Sequence, residues 1–204
     1  MRPRRGILLF VAVMALTLGA AAAASASPAW KFNGTELSGS ETLVGAATSS
    51  SMTIPGVTTE CAHFLYNMKV SNSGGKGKGE ITELPLFECT TQTAHCTVAS
   101  IEAKGLPWPT HLASAWGNNY LIVENIDVEV VYGGSLCAYA GIPITVYGSA
   151  GGETNNSTET ATFNNSTILA TGTGLWVGFT WVEWNGVFPT EAFGTHREQT
   201  LEVA

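Results

Sequence analysis

Trp176, Phe179, Trp181, Trp184 and Phe188 crowd thirteen residues in the last third of the sequence. An indole has a broad apolar face and one N–H donor, so it serves equally as a core filler and as a platform for a sugar ring. Glu183 lies between Trp181 and Trp184, where a sugar ring could stack. Trp176, Trp181, Glu183 and Trp184 are therefore the candidate ligand-binding residues. An extracellular polysaccharide or cell-surface component is the candidate partner. Glycoside hydrolysis would need a second carboxylate about 5–10 Å from the first. Fifteen glutamates offer many partners and single out none. A non-catalytic structural or binding protein is the preferred reading, a small glycan-active hydrolase using glutamates the alternative, and no catalytic residue is assigned.

Other chemistries find weaker footing. A nucleophilic serine calls for Gly-x-Ser-x-Gly at a strand-to-helix elbow. The nearest stretches, 147–151 around Ser149 and 133–137 around Ser135, each lack one of the two glycines. Both read as β-turns. His63, His95, His111 and His196 form no His-x-His or His-Glu-x-x-His pair, and the chain has one aspartate, so neither a zinc nor a calcium pattern emerges. No cofactor is expected. Trp108 and Trp116 flank His111 in a proline-bounded segment that reads as a packed corner. Five Asn-x-Ser/Thr sequons begin at Asn33, Asn155, Asn156, Asn164 and Asn165, polar surface positions by their setting.

The elements that must position these residues begin with an export signal. Arg2, Arg4 and Arg5 precede an apolar run from Ile7 to Leu18, and an alanine-rich stretch ends at Ala24-Ser25-Ala26. Residues 1–26 read as a signal peptide cleaved after Ala26, leaving 27–204 as one domain outside the cell. The apolar run is short beside the ~20 residues that span a bilayer. Loss of the three arginines leaves six basic residues against sixteen acidic, a formal charge of −10. That surplus speaks against nucleic acid or an anionic membrane surface as partner. Export makes disulfides the expected fate of Cys61, Cys89, Cys96 and Cys137. Of the three possible pairings, Cys89–Cys96 with Cys61–Cys137 is favoured, the first for its nearness in sequence.

The domain itself reads as β. Tyr66, Met68 and Val70 alternate with Asn67 and Lys69. Ile126, Val128 and Val130 alternate with Asp127 and Glu129, and Leu201 and Val203 with Thr200 and Glu202. This period of two marks half-buried strands. Glycine-rich or polar breaks are expected over 71–79, 133–134, 148–157 and 172–174, with a long loop or exposed hairpin over 155–166. Pro143 inside Ile142-Pro143-Ile144 suits an edge strand or a strand start. The expected fold class is an all-β sandwich, with a barrel-like form as its variant and long polar loops.

The opening Ala-Trp-Lys-Phe-Asn-Gly at 29–34, Cys-Thr-Val at 96–98, Leu-Pro-Trp at 106–108 and the later Cys137 resemble a group of secreted β-rich proteins of soil bacteria. The resemblance covers most of the exported part. That group has no established activity, so the resemblance implies secretion and a β fold and carries over no site.

Overall fold

The computed structural model describes residues 27–47, 50–157, 160–172, 180–189 and 201–203. They form fourteen strands: β1 Trp30–Phe32, β2 Thr35–Glu36, β3 Ser40–Ala47, β4 Ser50–Ile54, β5 Val57–Asn72, β6 Gly77–Glu83, β7 Leu86–Thr91, β8 Thr97–Ala103, β9 Trp108–Ala115, β10 Asn118–Gly133, β11 Pro143–Asn155, β12 Thr160–Gly172, β13 Thr180–Pro189 and β14 Leu201–Val203. Among the described residues there is no helix. The all-β expectation holds, and Pro143 opens β11 as its place in the sequence suggested.

Successive strands pair antiparallel and the path closes. Neighbours run β4, β5, β6, β9, β10, β11, β12, β13, and β13 returns to β4. The sandwich is thus barrel-like. Two long strands carry it: β5 is flanked by β3 and β4 end to end on one edge and by β6 and β7 on the other. Along β10, β9 and then β8 share one edge while β11 takes the other. Each long strand changes phase midway. In β5 the buried set passes from Val57, Thr59 and Cys61 to Phe64, Tyr66, Met68 and Val70. In β10 it passes from Leu121 and Val123 to Ile126, Val128, Val130 and Tyr132, across a bulge where Asn125 adopts φ 55°. Such a bulge bends the strand while keeping apolar side chains inside.

The interior is filled. Trp108, Phe64, Met68, Val130 and Val146 are buried, and a cavity of about 30 Å³ beside Thr59, Phe64, Leu86 and Val146 is far below the 300 Å³ or so of a ligand pocket. Tyr132 and Thr59 join β10 to β5 through a buried 2.7 Å hydrogen bond between hydroxyls. Burial pushes the Tyr132 phenol above its usual range, and the bond to Thr59 opposes that shift in part.

A three-stranded sheet, β14-β1-β2, lies over one end. Asparagine side chains fasten it by imitating a strand's own ladder. The Asn72 amide accepts from Trp30 N–H (2.8 Å) and donates to Trp30 O (2.8 Å) and Leu37 O (3.2 Å). Asn156 accepts from Val203 N–H (2.8 Å) and donates to Val203 O (2.9 Å). Since each strand of the meander reverses direction, the β5–β6, β9–β10 and β11–β12 turns all gather at this lid end.

Two expectations need correction. The break expected over 148–157 lies largely within β11. Its glycines serve close packing there: a methyl group on Gly152 would lie 2.6 Å from the buried Phe163 ring. The disulfides join Cys61 to Cys89 and Cys96 to Cys137, overturning the pairing of Cys89 with Cys96. Cys61 and Cys89 are direct register partners across β5 and β7. Cys96 precedes the β8 segment that pairs with the end of β10, which brings it to the turn containing Cys137. Proximity in the ladder outweighed proximity in sequence. The bridges span 28 and 41 residues, worth about 3.5–4 kcal/mol each in the chain-entropy account.

Tryptic digestion without reduction is expected to release one assembly of three peptides, 32–69, 79–104 and 105–197; mass spectrometry showing 79–104 looped on itself would refute the pairing. Gly152→Ala is expected to lower stability in urea by about 1–3 kcal/mol, because Phe163 sits in a packed interior and must move.

Candidate functional site

The β9–β10 hairpin turns through Trp116 and Gly117, with φ 51° and 86°. Two successive left-handed residues fit a type I′ turn, whose twist suits the hairpin and whose usual occupants are Asn, Asp and Gly. An L residue with a bulky side chain is strained there. Trp116 nonetheless occupies the first position and is 95% exposed. The packed corner expected for this segment holds for Trp108, which is fully buried and donates from its indole to Lys104 O at 2.7 Å. It fails for Trp116. The ladder that buries Trp108 has run out at the tip of the hairpin, so no described strand covers the second indole.

Beside this turn, on the flank facing β11 and β12, is a polar cleft of about 560 Å³. Asn118, Asn119, Glu153, Asn155, Thr162 and Asn164 contribute to its lining. Some of these groups are occupied. Asn119 accepts from the Ser114 hydroxyl at 2.6 Å, and its carbonyl accepts from the Thr154 hydroxyl at 3.1 Å. Asn155 Oδ1 accepts from the Ser157 amide and hydroxyl at 2.9 and 2.7 Å. The side chains of Asn118, Glu153, Thr162 and Asn164 make no hydrogen bond to another described residue, leaving donors and acceptors for a polar ligand. Register carries the site across four strands, with Ala113 opposite Tyr120, Tyr120 opposite Glu153 and Glu153 opposite Thr162. Leu121 is buried, so alternation turns the half-buried Tyr120 to the outer face between β9 and β11. An exposed indole, a phenol and amides of both polarities form a surface that can stack on a ring and pair with its hydroxyls.

The residues singled out by sequence fall elsewhere. Trp181, Glu183 and Trp184 lie on β13, a ring strand, opposite Leu169, Thr167 and Ser166 of β12. Glu183 and Trp184 also stand opposite Thr53 and Met52 of β4. Trp176 and His196 lie outside the described residues. The near-matches to a nucleophile elbow resolve into Ser149 within β11 and Ser135 in a turn after β10. His63 approaches Glu88 at 3.9 Å on exposed side chains, and His111 approaches Glu124 at 3.4 Å. Among the described residues no three His, Cys, Asp or Glu side chains converge as metal ligands would.

The signal that could have found Trp116 is local. Trp-Gly-Asn-Asn at 116–119 between two alternating segments marks a hairpin tip, where a side chain has no sheet to pack on.

The chain matches no known protein family, no curated protein and no solved structure.

Replacing Trp116 by Ala is expected to change stability by less than about 0.5 kcal/mol, as for exposed sites generally. Trp108→Ala should cost about 3–5 kcal/mol. Urea melts of the two variants would distinguish them, and equal losses would contradict the assigned environments.

Proposed function

We propose that this protein is exported and acts as a non-catalytic glycan-binding module, with Trp116 as its stacking platform. The observation that carries the reading is the 95% exposure of a tryptophan on a strained turn beside a cleft of amides and hydroxyls. A core has no use for such a ring, and left-handed strain at a displayed side chain points toward function. Export rests on the leader-like residues 1–26 and on two disulfides that suit an oxidising compartment. The resemblance to secreted β-rich proteins of soil bacteria accords with that compartment. Glu153 is the carboxylate in the cleft lining; a binding role needs no second one.

The cluster on β13 is the rival platform, and one experiment separates the two. Purified protein is passed over cellulose, chitin and peptidoglycan with Trp116→Ala and Trp181→Ala/Trp184→Ala variants alongside. Trp116→Ala is expected to weaken retention about tenfold or more, as anchoring tryptophans do, with its fold retained by circular dichroism. Loss confined to the double variant would move the platform to β13. Retention unchanged in both folded variants, or no retention of the parent protein on any polymer, would overturn the reading for these glycans.

A further inference from the structure

A second groove lies on the other flank of the β9–β10 hairpin. It measures about 430 Å³, and Lys76, Lys78, His111, Ala113 and Ser114 are among the residues lining it. Lys78 stands opposite His111 in the β6–β9 ladder. Ser114 reaches across the hairpin to Asn119, which lines the polar cleft on the far side. The two grooves are thus the two slopes of one ridge, with Trp116 at its tip.

The charge of this groove is out of keeping with the rest of the chain. After residue 26 the sequence holds six basic residues against sixteen acidic. Lys104 is engaged by Glu102 and Glu129. Lys31 stands opposite Glu36 and Glu202, and Lys69 opposite Glu80. Arg197 lies outside the described residues. Lys76 and Lys78 form no ion pair with any described residue. Glu124 lies near His111, on the β10 side, and pairs with neither lysine. Among the described residues, which hold many carboxylates, two neighbouring ammonium groups beside one groove are left without an ion pair.

We propose that the ligand of this face is an acidic polysaccharide, with its carboxylates held by Lys76 and Lys78 while a neighbouring sugar ring stacks on Trp116. The inference rests on the glycan-binding reading above and adds the ligand's charge to it. The protein's overall negative charge opposes a polyanion only weakly at close range. Screening at physiological ionic strength limits each charge to about 8 Å, so the lysines beside the bound segment outweigh carboxylates elsewhere. The amide cleft then takes hydroxyls, the basic groove takes carboxylates, and the ridge fixes their spacing.

The test uses polygalacturonate and its carboxyl-reduced, neutral counterpart, with binding read by affinity electrophoresis. The parent protein is expected to bind the acidic polymer about tenfold more tightly than the reduced one. Lys76→Gln/Lys78→Gln should abolish that preference and keep the binding of the reduced polymer. Raising NaCl from about 20 to about 300 mM should weaken only the acidic interaction. Equal binding of both polymers, or an unchanged preference in the lysine variant, would overturn the acidic-ligand inference and leave the glycan reading standing. Undiminished binding of both polymers by folded Trp116→Ala would overturn the glycan reading itself. Failure to bind either polymer would overturn the inference for uronates, and the insoluble-polymer retention then decides the reading beneath it.

Discussion

A strand inside a sheet has peptide groups on both edges, and each must find a partner. Here that requirement is met by closing the sheet, with β13 returning to β4. Everything else follows from closure. A ring must bend, so β5 and β10 change phase and β10 carries a bulge at Asn125. A small ring leaves an interior that side chains can fill, and the buried Phe163 ring fits because Gly152 presents no side chain against it. The end of the ring still needs a cover, and the small sheet held by Asn72 and Asn156 supplies it.

Closure also dictates where recognition can occur. The interior is packed, so a large ligand has access only to the outer wall and the ends. The lid end gathers the β5–β6, β9–β10 and β11–β12 turns, which bring Lys76, Trp116 and Asn155 together from stretches far apart in sequence. Each turn uses residues suited to it: Gly74 and Gly75 ahead of Lys76 (φ 67° and 72°), Gly117 after Trp116. Trp116 is the exception. A less strained residue would make the same turn at that position, so the turn itself does not call for the indole.

Much of this architecture is legible in the sequence, because the sheet has one wet face and one dry one. Alternation around Tyr66–Val70 and Ile126–Val130 gives both the strands and their buried sides, and Pro143 marks a strand start. What escaped reading depends on register, which no single segment contains. The partner of Cys89 is set by the β5–β7 ladder, and the purpose of Gly152 by the ring of Phe163. Trp116 was hidden for a different, local reason. A tryptophan at positive φ contradicts the preferences from which turns are read, and prolines nearby suggested packing. The basic groove joins a glycine-rich turn to a strand more than thirty residues away, so neither segment shows it alone.

One part of the wall is unlaced. β7 and β8 run side by side without a ladder between them, so each keeps a bare edge toward the other. Bare edges invite pairing with other chains, and short strands with charged residues such as Glu88 and Glu102 restrain it. The two bridges complete that restraint from either side of the gap: Cys61–Cys89 fixes β7 to β5, and Cys96–Cys137 fixes the start of β8 to the turn after β10. They act like the stays on either side of a slit whose mouth is also tied by the Thr91 hydroxyl, which donates to Cys96 O at 2.8 Å. Each bridge therefore does for a bare edge what a ladder does elsewhere in the wall, keeping the strand in its folded place.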